Sequence, residues 1–170
     1  MNTTAGFENI DCIKFTNARK VKAWIFWKRV IVDFKVDPIM PTFLFRRVNG
    51  DVIQLPDMTG TTDFCTTPPP LWMFPWFVPC RFAYSGTIHD QGYLHHYLII
   101  NGCRTLVTRQ YCDDLLEECI EHEPDAGTQA EGWAYKAGVR MFGWAYWGKD
   151  EPIPPAVGKL DMSRILPSIA

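Results

Sequence analysis

Five prolines fall within twelve residues (Pro68, Pro69, Pro70, Pro75 and Pro79), and with Pro56 they bar a long helix or central strand between 56 and 79. This block splits the chain into a strand-like part before it and a helix-patterned part after it. The same stretch carries Trp72, Phe74, Trp76 and Phe77. A proline-stiffened loop with large aromatics either covers the core or lines a site, and the sequence leaves both open. Trp72 is the aromatic taken as a candidate for substrate contact.

Before the block, residues 20–34 are rich in β-branched and aromatic side chains and read as one or two strands, with Lys28-Arg29 as a turn or bulge. The first dozen residues read as a loose terminus. Two strand-like runs, 43–48 and 51–55, flank Asn49-Gly50, which predicts a hairpin with a type I′ turn. After the block the pattern turns helical from Arg81. A turn is expected around Asn101-Gly102. Thr108 is placed as N-cap of a helix to about Glu121, whose Cys112, Leu115, Leu116, Cys119 and Ile120 make one apolar stripe. A last helix is expected from Gln129 to Trp147, with Ala134, Ala137, Gly138, Met141, Phe142 and Ala145 facing inward. The expected fold is α+β: antiparallel strands over 20–58, the proline/aromatic loop, a small helical bundle over 81–147, and an extended tail over 148–170. At 170 residues, 47% of them hydrophobic, the chain reads as a single domain with a real core.

The net charge of -2 argues against general nucleic-acid binding, which needs a basic face. Residues 1–47 nevertheless carry nine Lys/Arg against four Asp/Glu. That excess is either a solvated surface or a basic edge for an acidic partner. Met1 to Lys20 holds no continuous apolar run, and no run approaches the ~20 residues of a membrane span. Synthesis and folding in a cytoplasm are therefore expected. The six cysteines contain no C-x-x-C pair and are read as free, buried thiols.

Only four histidines occur, and His89, His95 and His96 cluster just after the proline block. His95 and His96 read as surface residues. His89-Asp90-x-x-Tyr93 is the constellation that can carry chemistry. On a helix His89 and Tyr93 share a face, while Asp90 projects about 100° away. An imidazole can take a proton from water near neutral pH. A second carboxylate is then needed to fix its tautomer, and the next helix offers Asp113 and Asp114. The HD-type metal phosphohydrolases need a histidine upstream of their His-Asp pair, and here His89 is the first in the chain. The His-Asp-x-x-Tyr pattern is similar to that of phospholipase A2, whose viral type places a distal aspartate where Cys112-Asp113 stands. No glycine-rich calcium loop precedes His89, which argues against lipid hydrolysis.

Residues 60–147 also resemble a family of small phage and prophage proteins known as a domain of unknown function. The resemblance rests on Thr62-Asp63-Phe64-Cys65-Thr66-Thr67-Pro68, Leu71-Trp72, His89-Asp90-Gln91-Gly92-Tyr93, Thr108-Arg109-Gln110-Tyr111-Cys112-Asp113, and Val139-Arg140-Met141-Phe142-Gly143. Thr66, Gly92 and Cys112 depart from the usual serine, leucine and alanine. The resemblance implies a phage virion or tail protein, made in the host cytoplasm and assembled beside other phage structural proteins. It further suggests that Asp63, His89, Asp90, Arg109 and Asp113 converge. The expectation is a water-activating hydrolase site acting on the bacterial envelope. In it His89, Asp113 and Tyr93 are catalytic, Asp63 and Asp90 hold a divalent cation, and Arg109 orients the carboxylates. The alternative is a non-catalytic structural or adaptor component of the phage neck or tail.

Overall fold

The computed structural model describes residues 5–22, 28–40, 42–63, 81–124, 128–143 and 147. The proline/aromatic loop beyond residue 63, Trp72 and the expected tail lie outside the described residues. The strands are β1 (Gly6–Glu8), β2 (Ile13–Lys22), β3 (Lys28–Val36), β4 (Leu44–Arg46), β5 (Val52–Gln54), β6 (Thr59–Thr62), β7 (Tyr97–Ile100) and β8 (Cys103–Leu106). The helices are α1 (Ala83–His95), α2 (Arg109–Glu121) and α3 (Gln129–Phe142). The class is α+β, as the sequence implies. One sheet runs β1-β4-β5-β7-β8 and the other β2-β3-β6, antiparallel at every pairing.

Several local expectations need correction. The loose terminus instead supplies β1, which pairs with β4, and a 3-10 turn over Ile10–Cys12 that buries Cys12 completely. Lys28-Arg29 is no turn, because Lys28 pairs with Lys22 inside a long β2–β3 ladder. Its irregularity falls between Thr16 and Arg19, where Asn17 takes a positive φ of 52°.

The two Asn-Gly pairs behave differently. At 49–50 only Gly50 has positive φ, and Arg47 and Gly50 close a β-turn by a 3.0 Å bond. That is a three-residue loop ending in a left-handed glycine, not a type I′ turn. At 101–102 both Asn101 and Gly102 have positive φ, and Ile100 pairs directly with Cys103. The I′ geometry thus belongs to β7–β8, at the turn expected around Asn101-Gly102, although the flanking residues are strands within a stretch expected to be mainly helical. Tyr97-Leu98-Ile99-Ile100 is a β-branched and aromatic run that joins β5, so burial in a sheet overrides any helical tendency.

The helix stripes explain the packing. On α2, Cys112, Leu115 and Cys119 face a core shared with Phe34, Phe43, Phe45, Ile53, Leu98 and Ile88. Its Leu116 and Ile120 turn to α3, where they meet Tyr135 and Val139. Met141, expected inward, is exposed, and Tyr135 and Val139 take the inward positions. Thr108 caps α2 by accepting from Tyr111 N at 3.1 Å. Thr128 and Glu131 form a capping box that starts α3. The N-terminus of α1 follows Phe82, which offers no side-chain cap. The buried Glu123 carboxylate caps it across the fold, accepting from Tyr84 N at 2.9 Å, Ser85 N at 3.1 Å and the Ser85 hydroxyl. Among the described residues no helix is long and apolar enough to cross a membrane.

Candidate functional site

The site is made where α1 and α2 come unusually close. A Cβ on Gly92 would sit 2.7 Å from Cys112 Sγ, so only glycine lets the helices touch at this level. Gly92 costs α1 up to about 1 kcal/mol in propensity, and close packing is what it supports. One residue later, Tyr93 points its hydroxyl at Asp113 and donates to Oδ1. His89, one turn before Tyr93, sets Nε2 3.4 Å from the same oxygen. Its ring lies 4.1 Å from the Tyr93 ring. The other ring nitrogen, Nδ1, faces Asp90 Oδ1 at 3.3 Å.

Asp90 is anchored more firmly elsewhere. Its Oδ2 accepts from Thr62 Oγ1 at 2.6 Å and from the Asp63 backbone N at 2.9 Å. The next residue, Gln91, donates to Thr61 O at 3.0 Å, so the end of β6 is stapled to α1 at two consecutive positions. Both of these contacts of the His89 ring, to Asp113 and to Asp90, exceed the roughly 2.7–2.9 Å of a tight charged hydrogen bond.

Electrostatics follow from this geometry. His89 is 4% exposed. Burial alone pushes its pKa down, but the Asp113 and Asp90 carboxylates outweigh burial and raise it above the ordinary histidine value. The imidazolium form can donate to both carboxylates at once. Burial pushes Asp90 up, yet its bonds from His89, Thr62 and the Asp63 N–H leave it below the ordinary aspartate value. The thiol of Cys112, next to Asp113, is pushed up by burial and stays protonated.

Three of the expected site residues, His89, Tyr93 and Asp113, thus come together, with Asp90 at the second nitrogen of the ring. Asp90 stands against His89 despite the angle expected between neighbouring helix positions. Asp63 reaches the cluster through its backbone N–H on Asp90. Among the described residues Arg109 meets no carboxylate: its Nη1 donates to the carbonyl of Arg140 at 3.2 Å. The guanidinium near Asp113 belongs to Arg140, whose Nε lies 3.9 Å from Oδ2. Sequence reasoning assigned no role to Thr62 or Arg140, although both stand inside the quoted motifs. His96, expected at the surface, is half-buried, ends α1 in the left-handed conformation and stacks on Trp147 at 4.4 Å with rings 3° from parallel. His95 is also half-buried, between Gln91 Oε1 at 3.2 Å and Asp57 Oδ2 at 3.3 Å. Cys12, Cys112 and Cys119 are buried free thiols and Cys103 is an exposed one.

A cation held by Asp63 and Asp90 would need Asp90 oxygens that are free to ligate. Oδ2 already takes two donors and Oδ1 faces the imidazole, so the arrangement does not fit a cation. Among the described residues no group of three or more His, Cys, Asp or Glu could hold a metal ion. Proton transfer at His89 is the chemistry the cluster can perform with its own atoms. No protein-family model, curated protein or solved structure matches the chain.

Proposed function

We propose that the chain is a small phage-associated hydrolase in which His89 activates water and Asp113, held by Tyr93, orients the ring. The observation that carries this reading is the shared oxygen: Asp113 Oδ1 receives the Tyr93 hydroxyl and faces His89 Nε2 at 3.4 Å. That contact supports an Nε2–H form on the Asp113 side, with Nδ1 as the nitrogen that exchanges protons in this reading. Water replacing the Asp90 contact would pass a proton to Nδ1 as its oxygen bonds to the scissile centre. The imidazolium would then return that proton to the leaving group. The base form requires deprotonation of His89, so activity should climb as pH rises through its raised pKa. The motif resemblance supports a phage particle protein, and a bacterial envelope component is the substrate class proposed.

A second reading has its own support. The ring is 4% exposed and both its nitrogens face carboxylates, as in a polar network that locks α1 to α2 and β6 in a neck or tail adaptor. The test is hydrolysis of purified peptidoglycan and of phospholipid vesicles by the wild-type chain and by His89→Gln, with folding checked by circular dichroism. Loss of about 100-fold or more in the variant is expected for a general base. Undiminished turnover in the variant, or none by the wild type, overturns the hydrolase and leaves the adaptor.

A further inference from the structure

The two oxygens of Asp113 are used unequally. Oδ1 receives Tyr93 and faces His89, whereas Oδ2 is buried and accepts no hydrogen bond from any described residue. A buried carboxylate oxygen without a donor is costly unless charge compensates it. The compensating charge within reach is the Arg140 guanidinium, with Nε 3.9 Å from Oδ2.

Arg140 is itself held in place from several sides. Its Nη2 bonds Asp114 Oδ1 at 2.8 Å. One turn earlier on α3, Lys136 Nζ lies 2.8 Å from Asp114 Oδ1 and 2.6 Å from Glu117 Oε2. From the start of α2, Arg109 Nη1 reaches the Arg140 carbonyl at 3.2 Å. Arg109, the residue the sequence suggested, thus ties down the α3 backbone that carries Arg140.

We infer that Arg140 is the positioning residue of this centre, sharing the charge of Asp113 so that the carboxylate orients the His89 ring without gripping it. The inference rests on the reading of His89 as a proton acceptor. Among the described residues, the groups facing the ring are Asp90 and Tyr93 from α1 and Asp113 from α2, with Arg140 of α3 behind Asp113 and Thr62 and Asp63 of the β6 end behind Asp90. Arg140 is the cation among these described groups. Without it the full negative charge of Asp113 falls on Nε2, the ring holds its second proton more tightly, and less of it stands as the free base at a given pH.

The test compares the full chain with Arg140→Gln and Arg140→Lys, reading the imidazole ¹⁵N resonances of His89 at fixed pH. Arg140→Gln should move the Nε2 and Nδ1 signals toward the imidazolium pattern, and Arg140→Lys should largely restore them. Hydrolysis, where the wild type shows it, should fall about fivefold in Arg140→Gln, the worth of one partly exposed ionic contact, and recover in Arg140→Lys. His89 signals that stay in place while thermal stability drops would make Arg140 a mere α2–α3 clamp and overturn the inference. The resonance readout needs no turnover, so it decides the role of Arg140 even if the hydrolase reading fails. Should Arg140→Gln not fold, Asp114→Asn removes the main anchor of Arg140. Moved His89 signals then support the inference and unmoved ones overturn it.

Discussion

Replacing Asp113 by Asn isolates the charge of the buried carboxylate. The amide keeps an oxygen for the Tyr93 hydroxyl and roughly the same volume, so packing against Cys112 and Tyr93 is preserved. What disappears is the negative partner of His89 Nε2 at 3.4 Å, with side chains only 1% and 4% exposed. Breaking a buried ionic pair on one side costs about 3 kcal/mol or more. The sign with pH follows from the raised pKa of His89. A raised folded-state pKa gives stability that is complete below the ordinary value of 6.5 and disappears as pH rises through the folded pKa. Urea unfolding at about pH 6 should therefore show a loss of about 3 kcal/mol. Well above the folded pKa, where His89 is neutral, about 1 kcal/mol should remain for the weakened neutral contact. Asp90, whose pKa is lowered, titrates only at acid pH and does not enter this window. A loss of the same size across the whole range would refute the charged-pair account.

Two further substitutions test how the site is built. Gly92→Ala places a Cβ 2.7 Å from the fully buried Cys112 Sγ and should cost about 1–3 kcal/mol; adding Cys112→Ala should recover much of it, as a double-mutant cycle by chemical denaturation can check. Glu123→Ala removes the carboxylate that caps α1 through Tyr84 N and Ser85 N; a loss of about 2 kcal/mol and faster amide exchange in the first turn of α1 are expected, and unchanged exchange there would argue against the cap.

The residues show clearly where local sequence governs structure and where it does not. Thr108 and the α2 stripe were legible because an N-cap and an i, i+3, i+4 pattern act within a dozen residues. Helix α3 was legible at its first residue, Gln129, but its inward face was only partly assigned: Ala134 packs on the cluster with α2, whereas Met141 is exposed and Tyr135 and Val139 are buried there. The turn at Asn101-Gly102 was legible, but the strands beside it were not, because β7 joins a sheet through β5, which lies more than forty residues earlier. The site shows the same division. His89 and Tyr93 share a helix face by periodicity, and Asp113 could be proposed from the position of the acidic helix. The contact of Asp90 with His89 depends on Thr62 and Asp63 drawing the carboxylate toward β6, a tertiary fact. Arg140 reaches Asp113 through the packing of α3 on α2, which the motif resemblance that suggested Arg109 does not encode.

Everything chemical here depends on which proton leaves His89 first. Asp90 is the weaker acceptor of the two, since Thr62 and the Asp63 N–H already draw on its charge and its side chain is 18% exposed against 1% for Asp113. A ¹⁵N titration of the wild-type imidazole should show a midpoint above 6.5, with Nδ1 losing its proton while Nε2 keeps its own. A midpoint at or below that value, or a neutral ring protonated at Nδ1, would contradict the account.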